Sequence, residues 1–185
     1  GSRISMVGRR LKRESDEDWL LDDLSPGPLI AVIDTGVVTT SDLVGRVSSE
    51  TFVGGAPGTD PYGHGTQVAG IIAGSGSDGV GLAGVCWTCR ILSLQVSANG
   101  SINDDDVVVA INRAVERGAD VINLSFGYEI HANAERAAIA RAVAAGIVVV
   151  ASAGNDALLV PQFPAAYTGV VAVGAAGSNG FIADF

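Results

Sequence analysis

At 185 residues the chain is long enough for one domain with a sizeable core, and 48% hydrophobic against 17% charged residues excludes a disordered polymer. With 11 basic against 20 acidic residues and a formal net charge of −9, no run is basic enough to follow a phosphate backbone, so nucleic acid is not an expected partner. No apolar stretch approaches the roughly 20 residues that cross a bilayer, so no membrane partner is expected either. The N-terminus carries no visible signal-peptide pattern, which is uninformative about location.

Residues 1–25 read as an N-terminal extension or linker. The segment passes from basic (Arg9 to Arg13) to acidic (Glu14 to Asp18) and then to Trp19-Leu20-Leu21. A solvated tail whose Trp19 patch lies on the body is the simple reading, and a processing junction next to a mature start is the sharper one. From Pro28 onward apolar runs alternate with helical periodicity. Leu29–Ile33 predicts a buried strand ending at Asp34-Thr35-Gly36, and residues 64–73 predict a helix opening at His64-Gly65-Thr66. Ile91–Val96 is the next strand. Asp104 to Arg117 is an amphipathic helix, capped by Asn103 or the Asp104–Asp106 cluster and stopped by Gly118. Strand Val121–Leu124, helix Ala134–Ala145 with Gly146 as its stop, strand Ile147–Ala151 and strand Val170–Val173 complete the series. Strands rich in β-branched residues that alternate with helices predict an α/β fold of three layers, a mostly parallel sheet with helices on both faces. No internal repeat appears.

Cys86 and Cys89 are the only cysteines, and neither histidine is near them in sequence, so a four-ligand zinc site is excluded. The pair stands in a turn before a strand rather than at a helix start after one, which disfavours a thioredoxin-like motif. A small structural disulfide of an exported protein is the preferred reading, with free thiols as the alternative. Gly79 to Gly84 fits G-x-G-x-x-G, but it follows a helix and precedes a strand, the reverse of a dinucleotide site. Asn99-Gly100-Ser101 is a glycosylation sequon, informative only in a secreted eukaryotic protein.

Open α/β sheets collect chemistry beyond the carboxyl ends of strands, where Asp34 and Asn155 stand, and His64 opens a helix. Asp34 follows the first buried strand, where a carboxylate can be fixed by backbone donors and orient an imidazole. His64 lies between two glycines, which lets the backbone turn sharply and leaves the ring open to a cleft. Asn155 closes Val148 to Asn155 behind Gly154, where its amide can donate to a developing oxyanion. Taken singly, each has an ordinary reading: a turn aspartate, a solvated histidine, an Asx-turn. His131, in a polar loop, is assigned no role.

Together these segments resemble the subtilase family. Ala31-Val32-Ile33-Asp34-Thr35-Gly36-Val37 resembles its aspartate motif, and Gly63-His64-Gly65-Thr66 through Val68-Ala69-Gly70 its histidine motif. Asp120 to Gly127 resembles its substrate-lining strand and Ala151 to Asn155 its oxyanion segment, in the family's order, over a resemblance that spans about residue 28 to the C-terminus. The resemblance implies a partial subtilisin-like peptidase domain over 26–185, C-terminally incomplete, of a serine endopeptidase. Asp34 would orient His64, His64 would serve as general base and then general acid, and Asn155 would hold the oxyanion. A polypeptide substrate would lie as an extended strand between Ser125, Phe126 and Gly127 on one side and Ser97, Ala98, Asn99, Gly100 and Ser101 on the other. Ser125–Gly127 with Ala151, Ser152, Ala153 and Gly154 would wall a first pocket that is apolar or permissive. The implied location is secreted or extracytoplasmic.

Two departures qualify this. No Gly-Thr-Ser-Met-Ala-like run and no Gly-x-Ser-x-Gly elbow occurs in the chain, so the nucleophile is expected from a missing C-terminal segment or a second chain. Loss of that serine costs such an enzyme about 10⁶-fold in turnover, and the absent helix should leave an apolar groove. The chain alone is therefore expected to be inactive, and a serine-less relative acting as a binding module is the alternative. Gln67 stands where the family usually has a second, non-catalytic histidine. No cofactor is expected for the chemistry. A structural calcium ion at the loop Ser75–Gly81 is the one metal the resemblance admits, with Asp78 as that loop's lone carboxylate.

Overall fold

A buried strand alternates its side chains between two faces, so one sheet can serve two cores at once. The computed structural model describes residues 5–6, 9–13, 19–21, 27–76, 81–156 and 160–183. Three short strands come first, β1 (Ser5–Met6), β2 (Arg9–Arg13) and β3 (Trp19–Leu21), paired antiparallel in the order β1-β2-β3. They fall inside the segment expected to be an extension. Their side chains, Trp19's expected contact with the body included, lie outside the described residues.

The main sheet has six parallel strands. They are β4 (Leu29–Asp34), β5 (Val47–Thr51), β6 (Arg90–Gln95), β7 (Val121–Leu124), β8 (Val148–Ser152) and β9 (Val170–Val173), in the spatial order β5-β6-β4-β7-β8-β9. Helices α1 (His64–Ala73), α2 (Asp104–Glu116) and α3 (Asn133–Ala144) connect them. The helix and strand expectations hold to within about a residue at each end. Asn103 is the N-cap of α2, its Oδ1 accepting from the Asp105 amide at 2.9 Å. The strand β5 is an addition: Val-Ser-Ser-Glu-Thr contains no apolar run, because it pairs at the sheet edge and is only partly buried.

On one face Ile30, Val32 and Ile91 pack with Ala69 and Ala73 of α1 and with Leu43. On the other, Ala31, Ile33, Leu92, Leu94, Ile122 and Leu124 pack with Val107, Ala110 and Ile111 of α2 and with Ala138, Ile139 and Ala142 of α3. The alternation along β4 thus sends its side chains into both cores. The order of strands reverses at β4, with β5 and β6 on one side and β7, β8 and β9 on the other. A crevice at the carboxyl end of β4 follows from that reversal. Cover on the α1 face is incomplete. Val150, Val121 and Asn123 line an apolar trough of about 240 Å³ together with Ile71, Ile72 and Val85.

The Cys86–Cys89 pair is a disulfide, with Cα atoms 5.4 Å apart, in the turn before β6. Among the described residues no helix is long and apolar enough to cross a membrane.

Among the described residues one charged side chain is fully buried. Glu135, in the first turn of α3, has 0% exposure, and its Oε1 accepts from the Tyr128 hydroxyl at 2.5 Å. Burial pushes this carboxyl above the usual carboxylate range, against the opposing bond from Tyr128 and with repulsion from Asp104. A buried acid with a raised folded pKa stabilises fully below its ordinary value of 4.5 and loses that contribution as pH rises through the folded value. Glu135→Gln should therefore unfold at a higher temperature than the wild type above that range, with the difference shrinking as pH falls toward 4.5. Parallel melting-temperature curves across pH would refute this.

Candidate active site

The first strand of the main core delivers Asp34 at its last position, only 2% exposed. Its Oδ1 accepts from the Thr35 amide at 2.7 Å and from His64 Nδ1 at 2.7 Å. A carboxylate can only accept, so the Nδ1 proton lies on that bond, and in the neutral ring Nε2 keeps its lone pair. The His64 side chain is 42% exposed and opens on a cleft of about 190 Å³, lined also by Thr35, Tyr62, Gly100, Ser125 and Phe126.

Holding an imidazole at this distance requires a helix start to approach a strand end closely. His64 is the first residue of α1, and Gly63 before it sits at φ 89°, in the left-handed region where a side chain is strained. At Gly65 a Cβ would lie 2.2 Å from Gly36 O and 3.1 Å from Asp34 Cβ. Only glycine lets the helix sit there. Gln95, opposite Asp34 in the sheet, donates from Nε2 to Thr35 O at 2.9 Å and fixes the turn after Asp34.

Asp60 belongs to the hydrogen-bond network around His64, and local sequence reasoning misses it. Its Oδ1 accepts from Thr35 Oγ1 at 2.7 Å and from the Gly63 amide at 2.8 Å. Its Oδ2 accepts from the Thr66 amide at 2.8 Å and from Thr66 Oγ1 at 2.6 Å. Thr35 Oγ1 in turn accepts from the Gly65 amide at 3.0 Å. One carboxylate therefore ties the residue after Asp34 to the residues on both sides of His64. Burial pushes Asp60 up, but the bonds from Thr66, Thr35 and Gly63 outweigh it and hold the carboxyl below its ordinary value. The signal for it in sequence is an Asp four residues before the histidine with hydroxyl residues nearby, too common to single out.

The remaining expected residues gather at the same edge of the sheet. Ser125, Phe126 and Gly127 follow β7, and Ser152 Oγ donates to Phe126 O at 3.1 Å, tying that stretch to Ala151–Gly154 at the end of β8. Ser97 follows β6 but turns inward: it is buried, and its Oγ accepts from the amides of Asn99 (3.3 Å) and Gly100 (2.9 Å). Ala98, Asn99, Gly100 and Ser101 are exposed. Asn155 is exposed three residues past the end of β8. His131 differs from a free loop residue, since its ring packs edge-on against Phe163 and Tyr167, with centroids 5.4 and 5.5 Å away. Among the described residues no group of three or more acidic, histidine or cysteine side chains is arranged to hold a metal. Asp78, on which the calcium expectation rests, lies outside the described residues.

Residues 25–185 match the model of the subtilase family. A thermophilic serine proteinase of Bacillus sp. (strain AK1) is 40% identical over 175 residues, which are 92% of this chain and 44% of that protein. Subtilisin DY of Bacillus licheniformis is 37% identical over 162 residues, 84% of this chain and 59% of that protein. The chain therefore spans about half the length of these relatives. Among solved structures, a serine-to-alanine mutant of the protease domain of PatA superposes with a TM-score of 0.76 at 29% identity, covering 85% of this chain and 61% of that one.

Because Asp60 satisfies backbone donors on both sides of His64, its replacement has a measurable cost. Asp60→Asn should lose about 1–3 kcal/mol of stability at neutral pH. A depressed carboxylate contributes fully above its ordinary value of 3.8 and loses that contribution as pH falls through the folded value. The gap between wild type and variant, read by denaturant titration, should accordingly close in acid. Amide exchange at Gly63 and Thr66 should speed up in the variant, and unchanged exchange at both would remove Asp60 from this role.

Proposed function

The chain belongs to the subtilase family, and on that premise we propose that it carries the base-bearing part of a serine endopeptidase. The observation that carries this reading is the 2.7 Å bond from His64 Nδ1–H to a buried carboxylate in a ring otherwise open to a cleft. In the proposed cycle, His64 Nε2 takes the proton of a serine hydroxyl as its oxygen attacks the peptide carbonyl carbon. Asp34 stays ionised, keeps the ring in the tautomer that frees Nε2, and stabilises the imidazolium that forms. The Asn155 amide donates to the oxygen that becomes negative in the tetrahedral intermediate. His64 then gives its proton to the leaving amine, and the same groups work in reverse order when water hydrolyses the acyl-enzyme.

The nucleophile is proposed to come from polypeptide outside these 185 residues, since none of the serines here stands in a fitting motif. The apolar trough beside Ile30, Val121 and Val150 is consistent with a further segment packing on that face. Substrate is proposed to lie as an extended strand along Ser125–Gly127 and the 97–101 loop, which flank the cleft at Ser125 and Gly100. With Ser97 Oγ engaged inside its own turn, the loop would contribute backbone groups. An extracytoplasmic location is proposed from the Cys86–Cys89 disulfide, which persists in oxidising compartments.

A fluorophosphonate probe tests the assignment of parts. The full-length protein should label, and the 185-residue chain should not. Labelling of the short chain would put the nucleophile among its own serines, whereas a full-length protein that fails to label would favour a binding role. In the labelled protein Asp34→Asn should lower kcat by about 10⁴-fold, as expected when the histidine is left in the wrong tautomer. Asn155→Ala should cost about 10²- to 10³-fold, the loss typical of one oxyanion donor.

A further inference from the structure

The stretch Ser125–Gly127 is continued, one residue on, by a side chain that ends on a buried acid. The Tyr128 ring stacks with Phe126, centroids 6.3 Å apart and planes 18° from parallel, and Phe126 lines the cleft with His64. The backbone of Tyr128 is tied to Phe163 by a pair of main-chain hydrogen bonds, Tyr128 N to Phe163 O at 2.9 Å and Phe163 N to Tyr128 O at 2.8 Å. Its hydroxyl donates to Glu135 Oε1 at 2.5 Å. A cleft-lining ring is therefore backed by a second ring, and that ring is held at its far end by one carboxyl oxygen.

The surroundings of Glu135 suit a neutral acid. Its Oε2 is buried without a hydrogen-bond partner among the described residues. The Tyr167 hydroxyl is close enough to favour the charged form. Yet it accepts from the Ala132 amide at 2.9 Å and donates to Ala132 O at 3.1 Å, so its one proton is already engaged. Burial pushes both phenols up, Tyr167 to about 12, so each keeps its proton at neutral pH. Asp104, in the first turn of α2, adds a negative charge. Arg136, next in the helix, donates to Asn133 Oδ1 instead, and His131 stands edge-on to the Tyr167 ring with 5.5 Å between centroids. A buried oxygen without a partner costs far more in a carboxylate than in the neutral acid.

We propose that Glu135 is a positioning residue for substrate: while its carboxyl is protonated it holds Tyr128 against Phe126, and so keeps Ser125–Gly127 set to pair with an extended peptide. A firmer bond from Tyr128 to the charged Oε1 leaves Oε2 unserved, so ionisation creates a charge that water must satisfy. Water reaches it by displacement of Tyr128. Phe126 then loses its backing and peptide binding weakens, while Asp34 and His64 keep their contact. The proposal rests on the endopeptidase reading above.

The test uses the full-length protein, wild type and Glu135→Gln, with one peptide p-nitroanilide and active sites counted by fluorophosphonate titration. Glutamine keeps an oxygen for the Tyr128 hydroxyl and carries no titrating proton. As pH rises above 4.5, the wild-type KM should climb by about 10-fold, whereas Glu135→Gln should keep its low KM throughout. The kcat should follow one pH course in both. A wild-type KM that stays flat, a climb shared by Glu135→Gln, or a difference that falls on kcat alone would overturn the proposal and leave the endopeptidase reading standing. A wild type that neither labels nor hydrolyses would overturn that reading instead. Protection of the Tyr128 and Phe163 amides against exchange, corrected for the intrinsic rate, then decides the hold on its own. It should fall with rising pH in the wild type alone, and equal protection in both proteins would remove Glu135 from this role.

Discussion

The contact on which the rest of the site depends is the seating of the first turn of α1 against the last residue of β4. Asp34 and His64 meet at 2.7 Å only because the residue after the histidine has no side chain to hold the helix away. Such an approach brings backbone amides close together, and those donors need partners once they leave water. Asp60 supplies them with a single carboxylate, while Thr35 supplies the Gly65 amide. The geometry of the Asp34–His64 pair is thus set by the shape of the chain around it as much as by the bond itself.

The sheet explains where this contact occurs. Its strand order reverses at β4, so α1 and α2 fall on opposite faces and the carboxyl end of β4 faces a crevice rather than a connection. Ser125–Gly127 follow β7 and Ala151–Gly154 end β8, the next two strands, at the same carboxyl end of the sheet. Small residues at those ends leave room, and the Gln162 side chain from a later loop lies against Gly127 and Gly154 there.

Much of this was legible in the sequence because it obeys local rules. Leu29–Ile33 is a continuous apolar run, Gly118 and Gly146 stop their helices, and Asp-Thr-Gly and Gly-His-Gly mark the strand end and helix start. The edge strand β5 was not legible, since Val-Ser-Ser-Glu-Thr carries neither an apolar run nor a clean alternation. Asp60 is not legible because its partners include Thr35, 25 positions away, and backbone amides whose direction no pattern reveals. Glu135 is a charged residue in a helix's first turn, and nothing beside it in sequence signals that it is fully buried with the Tyr128 hydroxyl as its partner. Gln162 is visible only through two glycines from other segments.

The span of the Asp60 network has a kinetic consequence. The bonds linking Asp34, Thr35, Asp60, His64 and Thr66 join residues no more than 30 positions apart. By comparison, the Leu29 amide reaches Asp120 Oδ2 across 91 positions. Loop-closure entropy rises with the logarithm of the loop, and contacts of short sequence separation form sooner than those of long separation. By that rule the Asp34–His64 contact is expected in the early, short-range part of the folding reaction. The ends of β7 and β8 come from segments farther along the chain, so the pair can take shape before the rest of the cleft wall is in place.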